Sequence, residues 1–227
     1  MDIVVCTDKN FVMPTGVMMY SACVNNMDSD ITFHVVISGV SSEDKRKLSD
    51  TVSQFKGKST LFYDVDILDL PNLPKTASHR ITIATYYRLF LTDLLPPNLK
   101  KVIYLDGDII VRGSLVPLWE TDIENLAVAV SPCDCGYDKE FYERLNYPIE
   151  LGYFNAGVML INLDFWRRHD MLGGFTSYIK QNASCIKHAD QDVLNYTLRN
   201  YKMNLPIKYN FQTGFLCFGL FREDREM

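Results

Sequence analysis

Lys101-Val102-Ile103-Tyr104-Leu105-Asp106-Gly107-Asp108-Ile109-Ile110-Val111 is the stretch whose reading decides the fold. Its apolar and β-branched residues read as a buried strand, broken by two carboxylates with one glycine between them. In an extended strand residues i and i+2 point to the same face, so Asp106 and Asp108 project together where the first apolar run gives out. Two carboxylates that close repel unless a cation sits between them or one is protonated. A hard divalent cation with oxygen ligands fits that arrangement. Asp-Gly is also a strong turn signal, and on this stretch alone the turn and the metal site both stand.

Working outward, further strands are expected at residues 2–6, 31–38, 59–65, 126–131 and 154–163, alternating with helical patterns. Residues 15–26 carry apolar and small residues at helical spacing, and Ser41-Ser42-Glu43-Asp44 caps an amphipathic helix. A Pro71/Pro74 loop precedes a helix over 81–95 that holds Thr85, Tyr86, Tyr87 and Arg88 and stops at Pro96-Pro97. Residues 114–119 read as a short helix or turn, and 132–148 as loop with one short helical piece. Helical patterns then cover 166–182 and, capped by Asp190-Gln191-Asp192, a segment through Leu198. Strands alternating with helices predict an α/β fold, a mostly parallel sheet with helices on both faces. No linker divides the chain, so residues 1–227 are expected to form a single domain.

Composition narrows the partners. Apolar content of 47% with 22% charged residues is ordinary for a globular protein of 227 residues. A formal charge of −5 argues against nucleic acid, because no basic excess exists to neutralise phosphates. Any phosphate ligand needs a metal, a single Arg or backbone amides. The six cysteines are scattered, and the Cys133/Cys135 spacing is not the usual zinc pattern. Cys6 and Cys23 read as small buried hydrophobes, and a reducing cytoplasm is the simplest compartment. The N-terminus opens on a strand with no basic n-region, and no apolar run approaches membrane-spanning length.

Ligands of open α/β sheets bind beyond the carboxyl ends of the strands, where strand order reverses. Three polar clusters suit that place: Thr7-Asp8-Lys9-Asn10, Asp106-Gly107-Asp108, and Asn155 at its glycine-containing strand. No glycine-rich dinucleotide turn, P-loop or G-x-S-x-G elbow occurs. Each cluster has a structural alternative. Asp8 and Asn10 suit a helix cap, Arg88 a snorkelling surface residue, Asn155 a bulge, and Asp190 an N-cap. His34, His79, His169 and His188 lack ligand spacing.

Taken in order, the motifs resemble family 8 of the glycosyltransferases, the group of bacterial lipopolysaccharide galactosyl- and glucosyltransferases and glycogenin. The resemblance rests on V-x-Y-L-D-G-D-I-I-V, the upstream A-T-Y-Y-R-L, the downstream Y-F-N-A-G-V-M-L-I-N-L, and D-Q-D-V-L-N. D-I-V-x-x-x-D-x-N at the start and S-L-x-P-L-W also match, so it covers nearly the whole chain. It implies a GT-A fold, Rossmann-like, that transfers a glucose or galactose from a UDP-sugar to a saccharide acceptor with retention, in lipopolysaccharide or other cell-surface glycan synthesis. It further implies that Thr7, Asp8 and Asn10 contact the nucleotide and that Arg88 reaches the diphosphate or donor sugar. Asp106 and Asp108, with Gly107 between them, would hold Mn²⁺ or Mg²⁺, and Asn155, Asp190 and Gln191 would line the donor sugar as the catalytic residues, Gln191 and Asp190 supporting the cationic sugar. Gln191, a neutral amide, is a poor nucleophile, which favours same-face attack.

The family places a third metal ligand, a His, in an H-x-x-G-x-K-P-W segment whose Lys supports the diphosphate. No such segment occurs up to Met227, so weak metal binding in the absence of nucleotide is expected. The expected setting is cytoplasmic, with contact at the inner membrane face only through a basic, aromatic tail that this sequence does not contain. Two other readings compete: a nucleotide-sugar-binding module without turnover, and a Mg²⁺-dependent phosphohydrolase. The second wants its D-x-D near the start of the chain, whereas here it lies mid-chain.

Overall fold

The computed structural model describes residues 1–65, 83–136 and 138–217. The Pro71/Pro74 loop, His79 and the first two residues of the helix expected at 81–95 lie outside them. Among the described residues the strands are β1 (Asp2–Asp8), β2 (Ile31–Ser38), β3 (Lys58–Asp64), β4 (Lys101–Leu105), β5 (Val128–Pro132), β6 (Phe154–Asn162) and β7 (Lys202–Asn204). They form one seven-stranded sheet in the order β3-β2-β1-β4-β6-β5-β7. The sheet is mostly parallel, as expected, and β6 runs antiparallel to both β4 and β5.

Side-chain alternation along the strands builds a core on each face. Ile3, Val5, Val35, Ile37, Ile103 and Leu105 meet Met18 and Met19 of α1 (Val12–Val24) and Leu48 and Val52 of α2 (Ser42–Ser53). Val4, Val36, Val102 and Tyr104 meet Tyr86, Leu91 of α3 (Leu91–Leu94), Trp166 of α6 (Leu163–Arg168), Phe175 of α7 (Met171–Asn182) and Val193 of α8 (Ala189–Leu198). Two short helices, α4 (Val116–Trp119) and α5 (Lys139–Leu145), and a last one, α9 (Thr213–Cys217), complete the described chain. The cap expected for α2 is present: Ser41 Oγ accepts the Asp44 amide at 3.1 Å.

Three expectations need correction. The helix over 81–95 is a 3₁₀ turn, Ile83–Phe90, leading into α3, and Arg88 Nε bonds back to the Thr85 carbonyl at 3.1 Å. The helical region 166–182 breaks at Asp170, whose φ of 45° is left-handed, before α7 restarts. Asp190 is not the cap of α8: position 188 takes that place without a side-chain cap, and Asp190 lies inside the first turn. Cys133 and Cys135 are paired as a disulfide, while Cys6, Cys23 and Cys185 are free. Among the described residues no helix is long and apolar enough to cross a membrane.

Candidate active site

The sheet order puts the reversal point between β1 and β4: the chain leaves β1 toward β2 on one side, and β4 pairs with β1 on the other. Asp8 ends β1 and Asp106 follows β4, so both open into one crevice. Because β6 is antiparallel, its beginning reaches the same edge, and the Asp106 amide donates to the Gly157 carbonyl at 2.8 Å. That reversal explains why an Asn-Ala-Gly sequence at the start of a strand lies beside residues at the ends of others.

A cleft of about 330 Å³ is lined by Thr7, Asp8, Thr85, Arg88, Asp106, Gly107, Asp108, Gly157, Asp190 and Gln191, with Cys6, Phe11, Ala156, His188 and Ala189. Its centre is Arg88, 6% exposed and so no snorkelling residue. Arg88 Nη2 pairs with Asp106 Oδ1 at 2.8 Å, and Nη1 donates to the Ala156 carbonyl at 2.8 Å. The Tyr104 ring lies against the guanidinium, 4.4 Å from carbon to ring centre. Nε stands 2.9 Å from Asp190 Oδ2 while also donating to Thr85, so that contact is an ion pair rather than an aligned hydrogen bond.

The charges respond to this crowding. Burial pushes the Asp190 carboxyl up to about 7, against the pull of Arg88 and with help from the Asp106 charge. Withdrawal from bulk water raises Asp108 above the usual carboxylate range, and Asp106 raises it further. Burial of Arg88 opposes its charge, but Asp106 and Asp190 more than offset this and hold it protonated. Cys6, on the cleft floor, is pushed up to about 12 by burial, which makes it no nucleophile.

Asp106-Gly107-Asp108 is a turn, not an extended strand, because β4 ends at Leu105. The i, i+2 argument therefore does not apply, yet both carboxylates still line the cleft. Gly107 is required by close approach to α1: a Cβ there would stand 2.6 Å from Thr15 Oγ1, which donates to Thr7 Oγ1 at 3.0 Å. One oxygen of Asp106 is taken by Arg88 and by the Tyr104 hydroxyl at 2.8 Å. The other faces Gly157, where a Cβ would come within 3.0 Å. A carboxylate with one committed and one sheltered oxygen, beside a second carboxylate in no ion pair among the described residues, fits a hard divalent cation. Among the described residues no third His, Cys, Asp or Glu joins them.

Gln191 is oriented rather than free. Its Oε1 accepts the Ala156 amide at 3.0 Å, and its Nε2 lies 3.5 Å from the Tyr153 hydroxyl. Asn155 and Asn10 are not in the cleft lining. Asn155 Oδ1 accepts from the Gly157 amide and from Asn210 Nδ2, both at 2.8 Å, so it shapes the strand start and ties it to the 210 segment. Asn10 is exposed, and its amide closes a turn on Asp8 Oδ1 at 2.8 Å. His188 is exposed and stacks on Phe141 at the cleft rim. Sequence reading missed the support behind Gln191: Asp192 accepts from Arg144, the Tyr153 hydroxyl and the Lys187 and His188 amides. Asn195 clamps the Phe154 backbone at both N–H and carbonyl. Asp192 and Asn195, three residues apart on one helix face, were the available signal.

A mostly parallel α/β sheet with a crevice at its reversal point is the architecture of GT-A glycosyltransferases. Residues 2–223 match glycosyl transferase family 8, and the chain belongs to that family. General stress protein A of Bacillus subtilis is 30% identical over 220 residues, 94% of this chain and 74% of that protein. Lipopolysaccharide 1,3-galactosyltransferase of Salmonella typhimurium is 31% identical over 210 residues, 90% of this chain but only 61% of the enzyme's length. The crystal structure of the galactosyltransferase LgtC with donor and acceptor sugar analogues superposes with a TM-score of 0.89 at 30% identity, covering all (100%) of this chain and 81% of that one.

Proposed function

We propose that this glycosyltransferase moves a hexose, glucose or galactose, from a UDP-sugar to a saccharide acceptor with retention of anomeric configuration, as part of cell-surface glycan synthesis. The observation that carries the reading is the Arg88 cluster: one buried cation held between Asp106 and Asp190 at the reversal point, with Gln191 aimed into the same cleft. Kinship with a lipopolysaccharide galactosyltransferase supports the hexose and the saccharide acceptor.

Asp106 and Asp108 would hold Mn²⁺ or Mg²⁺, and such an ion supplies Lewis-acid stabilisation of charge on a departing diphosphate. Thr7 and Asp8, at the end of β1, line the side of the cleft where the nucleotide would lie. Arg88 is buried, which strengthens its interaction with developing negative charge. Asp106, Asp190 and the Ala156 carbonyl fix the plane of its guanidinium, so no reorganisation is needed as the bond breaks. Gln191, neutral and tethered through Ala156, supports the cationic sugar without attacking it. The acceptor hydroxyl attacks from the face the diphosphate leaves. Its oxygen bonds to the anomeric carbon, the carbon–phosphate oxygen bond breaks, and the proton passes to that phosphate oxygen.

The test is to incubate the protein with UDP-glucose, UDP-galactose and Mn²⁺ alongside oligosaccharide acceptors, and to read product anomers by NMR. An α-linked product with release of UDP supports the proposal. Release of inorganic phosphate, or UDP-sugar binding without turnover, overturns it.

A further inference from the structure

α1 is apolar on two faces. One face buries Thr15, Met18, Met19, Ala22 and Cys23 against the sheet. The other leaves Met13, Val17, Tyr20 and Val24 bare, at 79%, 49%, 47% and 42% exposure, with Met27 just past the helix end at 63%. These five recur at intervals of four, three, four and three residues, the a/d spacing of a helix-to-helix seam. The helix Val12–Val24 carries no Asp, Glu, Lys or Arg. Small residues flank the seam at Gly16 and Ser21, and Tyr20 is braced edge-on by Phe55 with ring centres 5.4 Å apart. Ile110, 57% exposed, is drawn alongside by the Val111 hydrogen bonds to Ser21 and Asn25.

From this we infer that the outer face of α1 is a homodimer interface, covered by the same helix of a second copy about a two-fold axis. With Ile110 the stripe exposes on the order of 600 Å², approaching the ~800 Å² each partner gives a stable interface and at the top of what monomers usually leave bare. An isologous contact sets like against like, and a seam without charges meets its own copy without repulsion. A lipid surface fits less well. Interfacial helices carry a broad apolar face edged with Lys and Arg, whereas this stripe is narrow and uncharged, in a chain of net charge −5.

Sedimentation velocity on the full chain, from low to high micromolar, tests the inference. The expected result is a doubling of sedimenting mass with concentration, abolished in Val17→Glu and in Tyr20→Glu while circular dichroism and melting temperature stay as in the wild type. Met27→Glu, outside the helix, gives a third reading should either helix variant fail to fold. A wild type that stays monomeric throughout overturns the inference, as does a dimer that survives the substitutions. A monomer that floats with phosphatidylethanolamine–phosphatidylglycerol vesicles also overturns it and assigns the face to lipid.

Discussion

Asp190 and Asp192 stand two residues apart on one helix turn, each facing an arginine, and their surroundings push them in opposite directions. Asp192 is fully buried, yet its carboxyl stays below the usual carboxylate range. Burial opposes that charge, but two bonds from Arg144, the Tyr153 hydroxyl and two backbone amides outweigh it. Asp190, equally buried, has one poorly aligned arginine contact and the negative charge of Asp106 nearby, and its carboxyl rises to about 7. The number and alignment of donors, not burial, decide the sign. The Arg144 side is saturated and structural. On the Arg88 side it is the Asp190 carboxylate that is under-satisfied, and this pair lines the cleft.

The largest effect that would sharpen this contrast is on stability. Asp192→Ala leaves Arg144 buried without its partner and should cost about 3–5 kcal/mol in urea unfolding. A loss below about 1 kcal/mol would erase the structural reading of that pair. Next in size, Asp190→Asn should lower the transfer rate about 10²-fold, the effect of losing one preorganised electrostatic group, while leaving the circular dichroism spectrum as in the wild type. Equal activity would place Asp190 with Asp192 as mere scaffold. Gln191→Ala should be milder, roughly tenfold to 10²-fold in kcat, because a neutral amide supports charge without forming a bond. Abolition of turnover beyond detection would point instead to covalent participation.

The remaining expected effect is a slope. In the folded state Asp190 titrates near 7, above its unfolded value, so the folded form binds more protons in the window between. Its contribution therefore destabilises progressively as pH rises from about 4 to 7. Asp192, depressed on folding, contributes in the opposite sense and at lower pH, its stabilisation being lost as acid protonates it. Chemical denaturation across pH should show Asp190→Asn flattening the upper part of the profile and leaving the acid limb intact. A slope unchanged by the substitution would break the comparison.

Much of this was legible in the sequence, and the exceptions have physical causes. Alternating strand and helix patterns sufficed for the mostly parallel sheet, because pattern period reports local geometry. The antiparallel course of β6 was not legible: a run buried on both faces looks the same in either direction. Asp106 and Asp108 stand out through an extended-strand argument that the turn at Gly107 makes inapplicable, yet both still line the cleft, since a turn beyond a strand end also delivers two carboxylates to the crevice. Arg88 was legible only as part of a motif, because nothing local distinguishes a buried arginine from an exposed one until its acidic partners, 18 and 102 positions away, are brought to it. The Arg144–Asp192–Tyr153 support went unread for the same reason.

The central claim, that the β1/β4 crevice receives a nucleotide diphosphate with a divalent cation between Asp106 and Asp108, is tested most directly by calorimetric titration of UDP. Wild type and Asp108→Asn would each be measured with and without Mn²⁺. The account predicts that Mn²⁺ tightens UDP binding at least about tenfold in the wild type, and that Asp108→Asn removes this gain. UDP binding that is indifferent to Mn²⁺, or a gain that persists undiminished in Asp108→Asn, would contradict it.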